Sequence, residues 1–356
     1  MKICFVAGTL GKGGAEQQLS YYLKTLTELG ADVTLLCLTR DEFWEEPISA
    51  LGVPVTFVGE SPNRAARALR ISAEARRIRP HIVQSQHFYT NLYAMAAAKA
   101  SGAIDVGAMR NDCVSEVADS GRVLGTLSFR LPRYLIGNSR KGIENALSLG
   151  RAPSRTFFLQ NVVDTDRFSP RAAPRRHGPV RILLAGRLEP QKRVDRFLRL
   201  VGSLTGAVDT PVEGVVAGDG ALRPAMERLA QEMGLVPATV KFLGRVDDMT
   251  PVYRDADLLV LTSDHEGAPN VVMEAMACGI PVVSTDAGDA HAIIGSGQGG
   301  FCARSEADLT AQVVSLVSDQ RLREAMGSQA RQTALRSFSV AGLGGSLQNI
   351  YRRINA

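Results

Sequence analysis

Two α/β domains, each a parallel sheet covered by helices on both faces, are predicted for this 356-residue chain by three observations. Short β-branched runs alternate with helical patterns from end to end, the signature of parallel strands joined by helices. The first such run in each half ends in a glycine-containing turn that also carries cations. Between the halves, RAAPRRHGP at 171–179 combines proline, glycine and positive charge without periodicity, as a linker does. The length suffices for two cores of ordinary size.

In the first half the strand candidates are residues 3–6, 33–38, 55–58, 82–84, 106–109 and 135–136. Between the first two, Leu19, Tyr22, Leu23, Leu26 and Leu29 keep helical spacing, and Gly30 follows as a stop. The second series comprises 181–185, 212–217, 240–243, 258–261 and 282–284. The expected domains are therefore 1–170 and 180–339, with a last helix at about 340–356 packing back on the first. Ligands of such sheets bind beyond the carboxyl ends of the strands, so functional residues should follow these runs and face a cleft between the domains.

Composition narrows the class. An apolar fraction of 45% and a charged fraction of 22% fit a globular protein. No apolar run approaches the ~20 residues that span a bilayer. MKICFVAGTL reads as a first strand running into a turn, not as a signal peptide. Cys4, Cys37, Cys113, Cys278 and Cys302 are odd in number and widely spaced, so neither a disulfide framework nor a zinc site is suggested, and a cytoplasmic setting is expected. Residues 1–178 hold 23 Lys+Arg against 16 Asp+Glu (net +7), and the remainder holds 18 against 20 (net −2). The densest basic stretch, residues 64–79, reads either as a solvated helix face or as a surface for anionic lipid or a phosphate-bearing acceptor, on the inner face of a membrane. Nucleic acid is disfavoured because no recognition motif accompanies the charge.

Three motifs carry chemistry. The turn at 8–16, GTLGKGGAE, follows the first strand and opens a helix, where glycines let backbone N–H groups approach an anion. It lacks the Ser/Thr of a Walker loop and the spacing of GxGxxG, and Thr39-Arg40 stands where a dinucleotide enzyme would place an acid. A dehydrogenase is thus disfavoured. The second motif, Gly186-Arg187 through Lys192-Arg193, sets cations at the end of a buried strand, where a diphosphate would be their partner. In the third, HEGAPNVVMEAMACGIP, a strand leads through a loop into a helix with Pro269 in its first turn and Gly279 with Pro281 at its stop. Amides of Ala268 to Val271 would face an anion, and Glu274, in an otherwise uncharged run, could accept bonds from vicinal hydroxyls.

The spacing of Glu266 and Glu274 within EGAPNVVMEAMACGIPVVSTDAG closely resembles the signature of the family 4 retaining glycosyltransferases. GRLEPQKR, AGDGALR, VKFLGRVDDMTPVYRDADLLVLTS and NVVDTDRF are similar to further blocks of that family, as are QSQHFYTNLYAMAAAKASG and GNSRKG in the first half. The resemblance implies the GT-B fold, two Rossmann-like doubly wound domains facing each other across a cleft. It implies Arg187 and Lys192 on the donor diphosphate, Glu274 on the ribose, and Glu266 beside the transferred sugar. Gly186, Gly244, Gly267, Ala268, Pro269, Asn270 and Val271 would complete the donor site, with Gly13 and Gly14 closing from the first domain. His87, Arg110, Asn111 and Asp112 become acceptor-side candidates. Neither DxD triplet, Asp164-Thr-Asp166 or Asp255-Ala-Asp257, is read as a metal site, and no cofactor is expected beyond the nucleotide-sugar co-substrate. Gly288-Asp289-Ala290-His291 departs from the family pattern and puts contacts near Asp289 and His291 in doubt.

The expected activity is metal-independent, retaining transfer of a hexosyl group from a nucleotide-sugar, UDP being favoured on family frequency. The acceptor would be a glycan or lipid-linked hydroxyl in surface polysaccharide assembly. A nucleotide-sugar epimerase or a non-catalytic sugar-nucleotide sensor are the alternatives. The first would need no acceptor, and the second would bind donor without making product.

Overall fold

The computed structural model describes residues 1–172, 178–295 and 299–355, with the side chain of residue 122 excluded. Most of the linker assigned to 171–179 lies outside the described residues. Two compact units emerge: Met1–Val162 with Ala341–Ala356, and Val163–Val340.

The first unit holds a seven-stranded parallel sheet of β1 (Lys2–Ala7), β2 (Asp32–Cys37), β3 (Val55–Phe57), β4 (Ile82–Ser85), β5 (Ile104–Met109), β6 (Tyr134–Gly137) and β7 (Thr156–Phe158). Their order is β3-β2-β1-β4-β5-β6-β7. The second unit holds six strands, β8 (Val180–Ala185), β9 (Val212–Ala217), β10 (Val240–Gly244), β11 (Leu258–Leu261), β12 (Val282–Thr285) and β13 (Gly300–Ala303), in the order β10-β9-β8-β11-β12-β13. Both sheets are doubly wound, with the order reversing between β1 and β4 and between β8 and β11. Loops diverge at such a point and leave a crevice at the carboxyl ends of the two strands.

Successive residues of a strand face opposite sides, so a strand covered on both must be apolar throughout. In the second unit Ile182, Leu184, Val216, Leu258 and Val260 pack with the helices Val194–Leu204 and Glu306–Ser318. Leu183, Ala185, Ala217, Leu259 and Leu261 pack on the other side with Asn270–Ala277 and with Ala330 and Ala334 of Gln320–Ser337. In the first unit Cys4, Val6, Leu36 and Val83 meet Ile71, Ala75, Ala94 and Ala97 of the helices Arg64–Ile78 and Asn91–Ser101.

The sequence reading misses β7 and β13. Both are short edge strands: TFF follows a turn, and GFCA follows a glycine-rich run that masks any alternation. The boundary also moves. Residues 163–170, assigned from the sequence to the first domain, sit in the second unit, where Val163 bridges Ser339 and Arg331 Nη1 donates to the carbonyls of Thr165 and Phe168 at 3.0 and 2.9 Å. The last helix, Leu343–Asn355, belongs to the first unit, and Tyr351 donates its hydroxyl to Gln84 Oε1 at 2.7 Å.

Gly218, just past β9, has φ +146°, and a Cβ there would come within 1.9 Å of the Gly186 carbonyl oxygen. Gly206 also has a positive φ, +87°, but faces open space. Gly218→Ala should therefore cost at least ~2 kcal/mol in urea unfolding of the protein, and Gly206→Ala only about 1. Equal losses would mean that the carbonyl contact does not impose the glycine.

Candidate functional site

In the second unit the site grows from the loops that leave β8 and β11 at the crevice. The loop after β8 passes Gly186 and Arg187 and closes in a 3₁₀ turn, Pro190–Lys192. The loop after β11 is bonded to it twice. Thr262 Oγ1 donates to the Lys192 carbonyl at 2.8 Å, and the Asp264 N–H donates to that of Gln191 at 2.9 Å. This brings Lys192 Nζ to 2.5 Å from Glu266 Oε1, with both side chains largely buried. Ser263 donates its hydroxyl to the same oxygen at 2.6 Å. Both bonds fall on Oε1.

The helix Asn270–Ala277 starts immediately behind, with Pro269 as its N-cap, one position ahead of the first turn expected for it. Glu274, one turn in, is buried and accepts from Tyr253 Oη at 2.8 Å. Burial, reinforced by that carboxylate, pushes the Tyr253 phenol well above its usual range, so it stays a donor. The loop after β12 backs Glu266. A Cβ on Gly288 would lie 2.2 Å from the Glu266 carbonyl oxygen, and the Asp289 N–H donates to Gly267 at 2.9 Å. Asp289 is buried at this contact, while the side chain of His291 is exposed.

Other candidates fare differently. Arg187 is exposed, so the argument that a buried cation needs a partner does not apply to it. Arg193, expected beside it, is instead bonded to Asp195 and Asp264. Gly244 lies under Arg223, where a Cβ would meet Nη1 at 2.6 Å. The DxD triplets serve local structure: Asp164 accepts from the N–H groups of Asp166 and Arg167, Asp257 from Arg171, and Asp255 pairs with Arg181. A cavity of about 260 Å³ lies towards the opposite ends of β8 to β10, but its Arg181, Lys241, Glu213 and Asp255 pair with one another.

In the first unit the glycine turn follows β1 and His87 follows β4. His87 Nδ1 accepts from the Gly8 N–H at 3.1 Å, so the ring proton sits on Nε2, which lies 3.2 Å from Glu16 Oε1. Thr9 donates to the same oxygen at 2.5 Å. Burial alone would raise the Glu16 carboxyl, but the bonds from His87 and Thr9 outweigh it and hold it below its usual range. A Cβ on Gly13 would lie 2.2 Å from Glu16 Oε2, so a side chain there would displace the carboxylate. Tyr89 stacks on His87 with ring centroids 5.2 Å apart, and its hydroxyl occupies the space a Gly8 side chain would need.

The acceptor-side candidates after β5 have local partners. Arg110 donates from Nε and Nη2 to the carbonyl and side-chain oxygens of Gln86, both at 2.9 Å. Asn111 Oδ1 accepts the Asp112 N–H, and Asp112 caps the helix Cys113–Asp119. The basic stretch at 64–79 is likewise tied locally: Arg70 pairs with Glu60, Arg77 with Glu74, and Arg76 bonds the Ala100 carbonyl.

Sequence reasoning gave no roles to Ser263, Tyr253 or Glu16. Nothing local marks the first two. Glu16 is visible as an acid in the first helical turn, but there it reads as a complement to the helix dipole.

Residues 12–167 match the family model "Glycosyltransferase Family 4" and residues 166–333 match "Glycosyl transferases group 1". The two sheets and these matches define a GT-B protein. The chain belongs to the family 4, group 1 glycosyltransferases. It is 31% identical over 204 residues to a D-inositol 3-phosphate glycosyltransferase of Geodermatophilus obscurus, covering 52% of this chain and 44% of that one. It is 26% identical over 162 residues to the N-acetyl-alpha-D-glucosaminyl L-malate synthase of Bacillus anthracis, covering 45% and 42%. The matched region thus spans less than half the length of these curated relatives. Among solved structures, Anabaena HepE in complex with UDP and glucose superposes with a TM-score of 0.87 at 19% identity, over 99% of both chains. Sucrose-phosphate synthase of Thermosynechococcus elongatus does so at 0.85 and 15%, also over 99% of both. These likenesses concern the fold.

Glu116, below the Arg110 loop, accepts the Arg110 N–H at 2.9 Å, while its Oε2 is buried without a hydrogen bond. Burial pushes its carboxyl up to about 8 from 4.5. The folded state therefore keeps a proton that the unfolded chain has lost, and stability falls as pH rises from about 4.5 to 8, with no further loss above. Glu116→Gln should remove up to about 1.4 kcal/mol per pH unit of that slope. Denaturant melts across this window check it, and parallel wild-type and variant curves would refute it.

Proposed function

We propose that the protein is a retaining glycosyltransferase that moves a sugar from a nucleotide-sugar, a UDP-sugar, to an acceptor hydroxyl. The observation that carries the reading is the buried contact of Lys192 and Ser263 with Glu266, directly before the N-terminus of Asn270–Ala277 and at the crevice between β8 and β11. A nucleoside diphosphate would bring a second anion to the ammonium, beside Glu266, and to the start of the helix.

Departure of the diphosphate builds charge on its oxygens. Lys192 has two donors beyond the one used on Glu266, and with exposed Arg187 and the backbone N–H groups of Ala268, Asn270 and Val271 (Pro269 has none) it stabilises that charge in place of a metal. Gly186 leaves room for the phosphates, and Gly244 makes room for Arg223. Glu274 accepts from the ribose hydroxyls, held in orientation by Tyr253. Glu266, fixed through Oε1, offers Oε2 to a hydroxyl of the transferred sugar. The sugar gains oxocarbenium character, the acceptor hydroxyl approaches on the side the diphosphate leaves, and a phosphate oxygen takes its proton. The configuration at the anomeric carbon is retained.

The names of the curated relatives, glycosyltransferases acting on small polar acceptors, and the UDP of the HepE complex support the reading. A glycan or lipid-linked hydroxyl in surface polysaccharide synthesis fits the basic first half as acceptor.

Lys192→Ala should lower kcat for transfer about 10²–10³-fold, the scale of one lost charge-stabilising donor. Glu274→Gln should raise the donor KM with a smaller effect on kcat. Both are measured as UDP release with acceptor present and absent. Unchanged rates in both variants would end the assignment, and interconversion of the donor sugar without acceptor would make the protein an epimerase.

A further inference from the structure

The sequence contains 12 Phe, 7 Tyr and 1 Trp, and among the described residues only two of these rings are exposed, Phe43 and Tyr89. Their exposures are 44 and 50%. Both stand at the carboxyl end of the first unit's sheet. Phe43 lies in the loop that follows β2, and Tyr89 in the turn that follows β4. β1 runs between those two strands, so its glycine turn leaves the sheet between the two loops. A single exposed ring is ordinary and needs no explanation. Two, gathered at one end of one sheet, point to a surface that a ligand covers.

Neither ring is loose. The Trp44 N–H donates to the Leu10 carbonyl at 2.9 Å, and the Glu42 carboxylate accepts from the Leu10 N–H and, at 2.5 Å, from the Thr39 hydroxyl. These bonds tie the loop after β2 to the glycine turn. Lys12 Nζ lies 4.4 Å from the centroid of the Phe43 ring, and Trp44 meets that ring edge-on with centroids 5.2 Å apart. Tyr89 is held on its other side of the turn by stacking on His87. Rings fixed in advance cost a ligand little in ordering. Adjacent strands lie about 4.8 Å apart, so loops two strands apart start roughly 10 Å from each other at the sheet.

The local charge is opposite to that of the surrounding half. Residues 8–16 and 39–46 hold Lys12 and Arg40 against Glu16, Asp41, Glu42, Glu45 and Glu46, a net of −3 (2 − 5). An anionic ligand would be repelled. We infer that this edge binds an uncharged saccharide chain, with C–H faces of its sugars on the rings of Phe43 and Tyr89 and hydroxyls on the polar groups between them. A pyranose is apolar on its faces and polar around its rim, and separate rings set among polar side chains match that alternation. A protein partner would call for a contiguous apolar patch instead. The inference deepens the transfer reading and rests on it for the chain's role as acceptor: the acceptor is an oligosaccharide held at more than one sugar.

Trp44 is the only tryptophan of the chain, so its emission reports on this place. The full chain is titrated, without donor, against neutral oligosaccharides of hexoses and N-acetylhexosamines two to six sugars long, and against the matching monosaccharides. At least one series should shift the emission, with affinity rising about tenfold or more from one sugar to three. For that series Phe43→Leu and Tyr89→Leu, which keep apolar bulk but lose the ring, should each bind about three- to tenfold more weakly. Phe43→Tyr should bind as wild type does, and high salt should leave the affinity unchanged. Thermal melts show that the variants fold. No binding by any chain, equal affinity for one sugar and three, full binding by both leucine variants, or binding lost in salt would each overturn the inference. Calorimetric titration of wild type with UDP separates the two readings. UDP binding without saccharide binding sinks this inference alone, and saccharide binding without UDP binding sinks the transfer reading.

Discussion

The second unit depends on one buried ion pair, Lys192 with Glu266, strung between loops that belong to different strands. Parallel pairing puts the carboxyl ends of β8 and β11 side by side, and the reversal of strand order sends their helices to opposite faces. The loops must therefore part, and the ion pair with its two backbone-directed bonds is what closes the gap beneath the crevice. Breaking a buried pair costs about 3–5 kcal/mol because one charge is stranded. The same charges thus set the shape of both loops. Gly288 completes the arrangement, since any side chain there would push Glu266 and Gly267 out of register.

The first unit repeats the construction with different chemistry. At its own reversal point, between β1 and β4, the bridge is His87 to Glu16, and the imidazole is read on both nitrogens. A backbone N–H fixes one tautomer and the carboxylate uses it. The glycines of the turn serve its own packing: Gly8 yields room to Tyr89, and Gly13 yields room to Glu16.

Most of this architecture was legible in the sequence, because strands covered on both faces declare themselves as unbroken apolar runs. β7 and β13 were hidden because edge strands need only one good face. Glu266 and Glu274 were legible by spacing, since a loop and one helical turn set their separation locally. Their partners were not. Tyr253 reaches Glu274 from a different helix, and Arg110 meets Gln86 across neighbouring strands. Only packing reveals such pairs. Phe43 and Tyr89 escaped notice for a related reason: aromatic residues look like core until their exposure is known.

The bridge between Val163 and Ser339, with the Val340 N–H donating back to the Val163 carbonyl at 3.2 Å, brings the entry and exit of the second unit together. Topologically that unit is an insertion whose two ends share one doorway. A segment of this kind can be lifted out and replaced by another with the same end-to-end spacing, without reweaving the host sheet. The two sheets can then change independently, as exchangeable parts of one chain.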